Sequence, residues 1–319
     1  MKQGKKIALT TASALVFAGL VLSVGSMCAM DFDFSKLETT PLHSETIQVE
    51  QSFTNISMTG TSCDIQFLPA PDDSCTVTCS LRQGNRCEAQ VQDGTLYIRQ
   101  WEEQKWYLGI SLHPEKIRVY LPEASYASIQ AETNSGDLTI SEPLQFQSAN
   151  LQSNSGSIDL SASISGKLSM TVQSGDIRAK DTRLHQLEAR CNSGSILLDQ
   201  VHLKADAQLH ANSGSITLTD VQGGTLSADA GSGDVRLTNV LTEDSLRLET
   251  NSGNIKLQHS DGAAITIRSG SGDVSGSLRT PKQFVTQTGS GSCSVPESGT
   301  GGACEIRTNS GDIRLKVEE

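Results

Sequence analysis

Apolar and polar side chains alternate with period two over most of this chain, the pattern of strands with one buried face. The alternation is punctuated by a returning phrase, Asn134-Ser135-Gly136-Asp137-Leu138, then Asn154-Ser155-Gly156-Ser157-Ile158, and so on to the C-terminus. Its glycines are Gly136, Gly156, Gly175, Gly194, Gly214, Gly233, Gly253, Gly272, Gly291 and Gly311, spaced 20, 19, 19, 20, 19, 20, 19, 19 and 20 residues apart. Seven residues before the glycine stand Ile129, Leu168, Leu187 and their equivalents, five before Ala131, Leu151 and Leu209, and two after Leu138, Ile158 and Ile196. Each unit therefore reads as strand, Ser-Gly corner, strand and a looser return. No such unit buries its apolar face alone, so neighbours must stack. The prediction is an all-β single-stranded β-helix, or β-solenoid, of about ten coils of 19–20 residues over residues 126–319.

The glycine answers a sharp corner that needs positive φ or close backbone approach, and the Asn before it predicts amide ladders from rung to rung. The residue after it reads Asp137, Ser157, Asp176, Ser195, Ser215, Asp234, Asn254, Asp273, Ser292, Asp312, with no two acids in consecutive coils. In-register stacking in chain order would demand that, since like charges opposite one another destabilise. Acids two coils apart are about 10 Å apart, too far to share a Ca²⁺ ion that wants six to eight oxygens at 2.3–2.6 Å.

Residues 45–125 form a divergent β-rich section, read as a cap. Thr61-Ser62-Cys63-Asp64-Ile65 fits the repeat frame with Cys63 in the glycine slot, an eleventh coil. Alternating runs around Cys75, Val77 and Cys79, Ala89 and Val91, and Leu96 and Ile98 follow, divided by Gln83-Gly84-Asn85 and Asp93-Gly94 as hairpin turns. Nine of the 13 aromatic residues lie between Phe53 and Phe146, with Tyr97, Trp101, Trp106 and Tyr107 the densest group. These four either cap the open end of the solenoid or form a patch for a partner or the membrane interface.

Composition sharpens the picture at the N-terminus. The net charge is -11, but residues 1–30 carry Lys2, Lys5 and Lys6 and no acid, leaving -14 on residues 31–319. That acidity opposes a sequence-independent grip on nucleic-acid phosphates. Ile7 to Met30 is an uncharged apolar run of 24 residues, long enough to cross a hydrocarbon core of about 30 Å. The lysines before it place the rest outside the cytoplasm by the positive-inside rule. Three fates fit: an uncleaved anchor, a signal peptide cleaved near Gly25 or Ser26, or a lipoprotein signal ending at Cys28. Met27 before Cys28 is a poor lipobox residue, and the run exceeds a usual signal core, which favours a single-pass anchor over residues 1–30, followed by a linker over 31–44.

With this apolar segment, the phrase Phe32-Asp33-Phe34-Ser35-Lys36-Leu37 just after it, and Ser-Gly-Asp/Ser-Ile repeats, the chain resembles the bacterial putative-adhesin family, an envelope domain of unknown function. The resemblance covers about residues 32–319 and implies a surface β-solenoid, in some relatives encoded near envelope-stress regulators. It assigns no functional residue.

Candidate chemistry is thin. Cys191, Cys293 and Cys304 occupy inward columns and read as small core residues. Cys63, Cys75, Cys79 and Cys87 cluster, and Cys79 and Cys87, flanking a turn, are the disulfide candidates of an oxidising compartment. No second Cys or His pair completes a zinc site with Cys75 and Cys79. The six histidines share no repeat column, and no Gly-x-Ser-x-Gly elbow or Walker loop occurs. No cofactor or metal is expected. β-Helices do host polysaccharide-active enzymes, but such sites break the repeat, and coils one to ten carry no long insertion. A non-enzymatic surface binding or scaffold protein, contacting an unknown protein or cell-wall partner, is the leading reading. An accessory of envelope-stress signalling is the alternative. The last coil ends at Lys316-Val317-Glu318-Glu319 and is read as the open edge, either guarded by its charges or pairing with another copy.

Overall fold

The computed structural model describes residues 3–29, 31–32, 42–102 and 113–318. One helix, α1 (Gln3–Ala29), precedes an otherwise all-β chain. Its Thr11–Ala29 stretch has a mean hydropathy of 2.0, packs on nothing and is long enough to cross a membrane.

The strands join one continuous sheet wound as a β-solenoid. Interior coils pair in parallel and in register, with Leu168 beside Leu187 and Leu187 beside Ala207. Large and small residues exchange places between the two inward columns: Leu187 precedes Ala189, Ala207 precedes Leu209, and Leu226 precedes Ala228, all buried. That complementarity lets aliphatic side chains fill most of a narrow core, with Phe67, Tyr126 and Phe146 buried only towards the N-terminal end.

At the corners a Cβ on Gly214 would fall closer than 3.0 Å to the carbonyl oxygen of Gly194, and the same holds from coil to coil along the stack. Close backbone approach, more than φ, is what excludes a side chain at the glycine corners of the regular coils. A small hydroxyl or thiol beneath the corner donates to its carbonyl: Thr250 Oγ1 to Gly233 O at 2.9 Å, and the Cys191 thiol to Gly175 O at 3.1 Å.

The order of coils in space differs from their order in the chain at both ends. Five strands, β1 (Leu42–Val49), β2 (Asn55–Gly60), β3 (Cys63–Pro69), β4 (Cys75–Arg82) and β5 (Arg86–Gln92), are followed by β6 (Thr95–Trp101) and β7 (Glu115–Leu121). The coil of β2 and β3, with Cys63 at its corner, lies between the Gly136 coil and an outer rung made by β6 and β7. That outer rung was not visible as a coil in the sequence, because residues 102–114 separate its strands. Antiparallel strands then cover the end: β4 on β7, β1 on β4, and β5 on β6.

At the other end the expectation that the last coil is the open edge is corrected. Strands Ala303–Ser310 and Ile313–Val317 insert between the Gly272 coil and the Gly291 coil, with Cys304 beside both Ile265 and Phe284, and Ile313 beside both Val274 and Cys293. The physical reason is burial. The Gly311 coil offers Cys304, Ile306, Ile313 and Leu315, all buried, whereas the Gly291 coil offers Phe284, Thr286 and Cys293 at the equivalent positions and suits the outside.

The exchange needs a long step out and back. Lys282 and Asp261 form a buried ion pair of 2.6 Å. Lys282 also donates to Gly262 O at 2.8 Å, and Thr280 donates to Asp261 through both its N–H and its hydroxyl. The return runs through Gly299, Gly301 and Gly302, where a Cβ would collide with Pro281 or with the backbone of Ala263.

Two further expectations change with this order. Asp64 neighbours Asp137, and Asp273 neighbours Asp312, so acids do stand in adjacent rungs. Cys293 faces inward but is exposed, because no described strand stacks on the outer side of its coil.

Candidate functional site

The column after the glycines is a hydrogen-bond ladder. Each side-chain oxygen accepts the backbone N–H of the equivalent residue one coil on: Ser157 N–H to Asp137 Oδ1 at 2.8 Å, Asp176 N–H to Ser157 Oγ at 3.2 Å, Ser195 N–H to Asp176 Oδ1 at 2.8 Å. Asp312 N–H reaches Asp273 Oδ1 at 2.8 Å. Asp, Ser and Asn share this position because each supplies an acceptor. Adjacent carboxylates are tolerated because each accepts a backbone N–H and cations stand close to one of each pair, Lys116 at 3.7 Å from Asp64 and Arg314 on Asp312. The amide ladder forms from Asn154 to Asn134 at 2.9 Å and from Asn212 to Asn192 at 3.0 Å. Gln173, Gly231 and Gly270 interrupt it.

A second corner column went unread in the sequence. Asp181, Gln200, Asp220, Asn239 and His259, each six residues after a corner glycine, adopt left-handed φ of 50–57°. Asp, Asn and His tolerate that region better than most residues, and their spacing of 19 and 20 was the available signal. The Asn239 amide donates to Asp220, Arg279 donates to Asn239, and His259 pairs with Glu318. Beside this column lies a shallow groove of about 440 Å³, lined by Asp181, Arg183, Gln200, His202, Asp220 and Gln222 among others. On another face His210 Nδ1 lies 3.3 Å from Asp229 Oδ2, both half exposed on open sheet.

At the N-terminal end Tyr97 and Trp101 share the outer face of β6. The Arg99 guanidinium lies 5.8 Å from the Tyr97 ring centre, and Trp101 is 44% exposed. The end of the core is covered instead by Cys75, Val77, Cys79 and Leu81 of β4, with Ile47 and Val49 packed against it. Trp106 and Tyr107 lie outside the described residues. Deeper in, Phe53, Tyr126 and Phe146 stack at 5.8 and 5.5 Å between ring centres, and Tyr126 donates to Pro122 O at 2.9 Å. Burial pushes the Tyr126 hydroxyl up to about 12.

Cys79 and Cys87 come together as buried free thiols within hydrogen-bond contact. That contact and burial push the Cys79 thiol far above its ordinary value. Burial, with the charge of Glu115 second, does the same to Cys63. Glu115 itself is fully buried and accepts from Arg82 N–H at 2.8 Å, the Asn85 amide at 2.8 Å and the Gln100 amide at 2.7 Å. It ties β7 to β6 and to the turn after β4. The sequence signal was an acid at an inward position of the alternation Glu115, Ile117, Val119, Leu121. Among the described residues no group of three His, Cys, Asp or Glu side chains is placed to hold a metal ion.

A family model described as Toastrack DUF4097 matches residues 53–209 and again 205–319. None of the curated proteins matches the chain. Similar solved structures include a putative cell adhesion protein from Clostridium sporogenes ATCC 15579, at 11% identity and TM-score 0.23, covering 87% of this chain and 100% of that one. A putative lipid binding protein from Parabacteroides distasonis ATCC 8503 is 15% identical at TM-score 0.41, covering 87% and 97%. A putative adhesin from Parabacteroides merdae ATCC 43184 is 9% identical at TM-score 0.37, covering 88% and 98%.

Proposed function

The chain belongs to the Toastrack DUF4097 family, and from that premise we propose that it is a non-enzymatic cell-envelope protein presenting its solenoid as an adhesin-like binding or scaffold module. In this reading α1 is a single-pass anchor, with Lys2, Lys5 and Lys6 on the cytoplasmic side and the solenoid outside. The observation that carries it is the outer surface. Polar side chains from successive coils stand in register about 4.8 Å apart, held by the Asp/Ser ladder and the second corner column, with shallow grooves between them. Such a surface offers the same groups repeatedly along its length, which suits contact with an extended polymer or protein.

The test compares capture of envelope proteins by the anchored protein, crosslinked in cells, with binding of isolated cell-wall material by the same protein in detergent. Saturable binding in either arm supports a binding module. Release of new reducing ends or soluble fragments from the wall material would sink the non-enzymatic reading.

A further inference from the structure

The two ends of the solenoid are finished differently. At the N-terminal end the outermost strands are β1 and β5, antiparallel additions that carry His43 and Glu45, and Arg86 and Glu88. At the C-terminal end the outermost strand is Gln283–Ser290, which among the described strands pairs on one side only, with Ala303–Ser310. Residues 283–296 contain no Asp, Glu, Lys or Arg. Natural edges are usually blunted by charge, proline or a bulge, and residues 285–290 have none of these guards. Val285 is 62% exposed on this strand, and the inward-facing Phe284, Thr286 and Thr288 are only partly covered.

Backbone geometry shows where the edge is free. Gln283 N–H bonds inward to Gly302 O at 2.9 Å, and Phe284 N–H is met by Ser298 Oγ at 3.2 Å. Strand alternation then turns the peptide groups of Thr286 and Thr288 away from the molecule.

We propose that this end docks onto the same end of a second copy of the chain, the two Val285–Ser290 edges pairing antiparallel about a two-fold axis through Gln287. In that register Thr286 stands opposite Thr288 across the axis, in the hydrogen-bonded position on both sides. Gln287 stands opposite its own copy, and the half-covered Thr286 and Thr288 faces of the two cores become continuous. A second copy fits better than an unrelated strand for two reasons on the molecule itself. The edge is uncharged in a chain otherwise carrying -14 over residues 31–319, so it is where two acidic copies approach with least repulsion. The opposite end is already covered by β1, β4 and β5, so the contact closes at a dimer rather than growing into a filament. The inference goes beyond the binding role proposed above and does not depend on it: two solenoids meet by their uncovered ends.

The test uses the full chain in detergent, followed by sedimentation equilibrium. A monomer–dimer equilibrium is expected, weakened about fivefold or more by Gln287→Lys, which sets like charges face to face. Gln287 is exposed, so an unchanged far-ultraviolet spectrum is expected to show the variant folded. A Gln287→Cys variant in a Cys28→Ser, Cys293→Ser background, which removes both exposed thiols, should give a covalent dimer when treated with oxidised glutathione. Two thiols lose two electrons and two protons to the glutathione disulfide, which leaves as two reduced thiols. A monomer at all concentrations, a dimer indifferent to Gln287→Lys, or a series extending beyond dimer would each overturn the proposal.

Discussion

The two ends of this solenoid solve one problem with opposite chemistry. At both, the coil nearest the chain end is drawn inside and another coil is placed beyond it, and at the C-terminal end that outer coil is the less apolar of the two. At the N-terminal end the outer rung is roofed by antiparallel strands and pinned by a buried acid, Glu115, hydrogen-bonded to Arg82, Asn85 and Gln100. At the C-terminal end the step to the outer rung is pinned by a buried ion pair, Lys282 with Asp261, and the rung is left bare. In this stack the coil left without a roof is the least apolar one, and its outer edge is open to contact.

The largest break in that comparison is deletion of residues 310–319. It removes the Ile313–Val317 strand of an inner rung, not an edge, uncovering Val274–Leu278 and leaving Cys293–Ser294 without its partner. Loss of the buried Ile313 and Leu315 alone is expected to cost about 3 to 6 kcal/mol, and hydrogen exchange should lose protection across residues 283–309 while β1 to β7 keep theirs.

Lys282→Ala leaves Asp261 buried without its cation, which is expected to cost about 3–5 kcal/mol in chemical denaturation. Lys282→Met with Asp261→Leu should recover most of it. Glu115→Ala, at the other end, strands buried donors and is expected to cost about 2–3 kcal/mol, with faster exchange confined to β4 to β7.

Thiol chemistry separates the ends more gently. At pH 8, Cys293 should react with a soluble thiol reagent in the folded protein, while Cys75 and Cys304, both pushed up to about 12 by burial, stay unmodified until denaturation. Protein recovered from an oxidising compartment should be 2 Da lighter through a Cys79–Cys87 disulfide, the mass of the two hydrogens lost; two free thiols there would refute that pairing.

The smallest effect is acid loosening of the C-terminal rungs. Hydrogen bonds from the N–H and hydroxyl of Ser292 hold the Asp312 carboxyl below its ordinary value. The Ser277 hydroxyl, then His259, does the same for Glu318. Both carboxyls are lowered in the folded state, so their contribution is present above the ordinary carboxylate range near 4 and is lost as pH falls through the lowered values. Exchange in residues 290–294, corrected for intrinsic rate, should rise below about pH 4.

Much of the architecture was legible along the chain. Period-two alternation gave the strands, the 19- and 20-residue glycine spacing gave the coils, and the Thr61–Ile65 phrase gave the divergent coil. The candidate chemistry was less so. Glu115, Lys282 and Asp261 look like ordinary surface charges to a pattern reader, since their partners lie on other strands 15 to 33 residues away. Glu115 alone betrayed itself, by falling in an inward column. Tyr97 and Trp101 could be read as either cap or patch, because alternation fixes which face they share but not what covers it.

The sequence by itself determined the repeat unit, its inward columns and the glycine corners of the regular coils, because each depends on local alternation and on contact between equivalent residues of neighbouring coils. Which coil neighbours which was decided only in three dimensions. In-register parallel rungs are nearly interchangeable, each presenting the same corner, ladder and aliphatic columns to the next, so local pattern cannot rank their orders. The ranking came from the whole stack: which coil loses least by facing water, and which connection, buried Lys282 and three glycines included, can bridge the step.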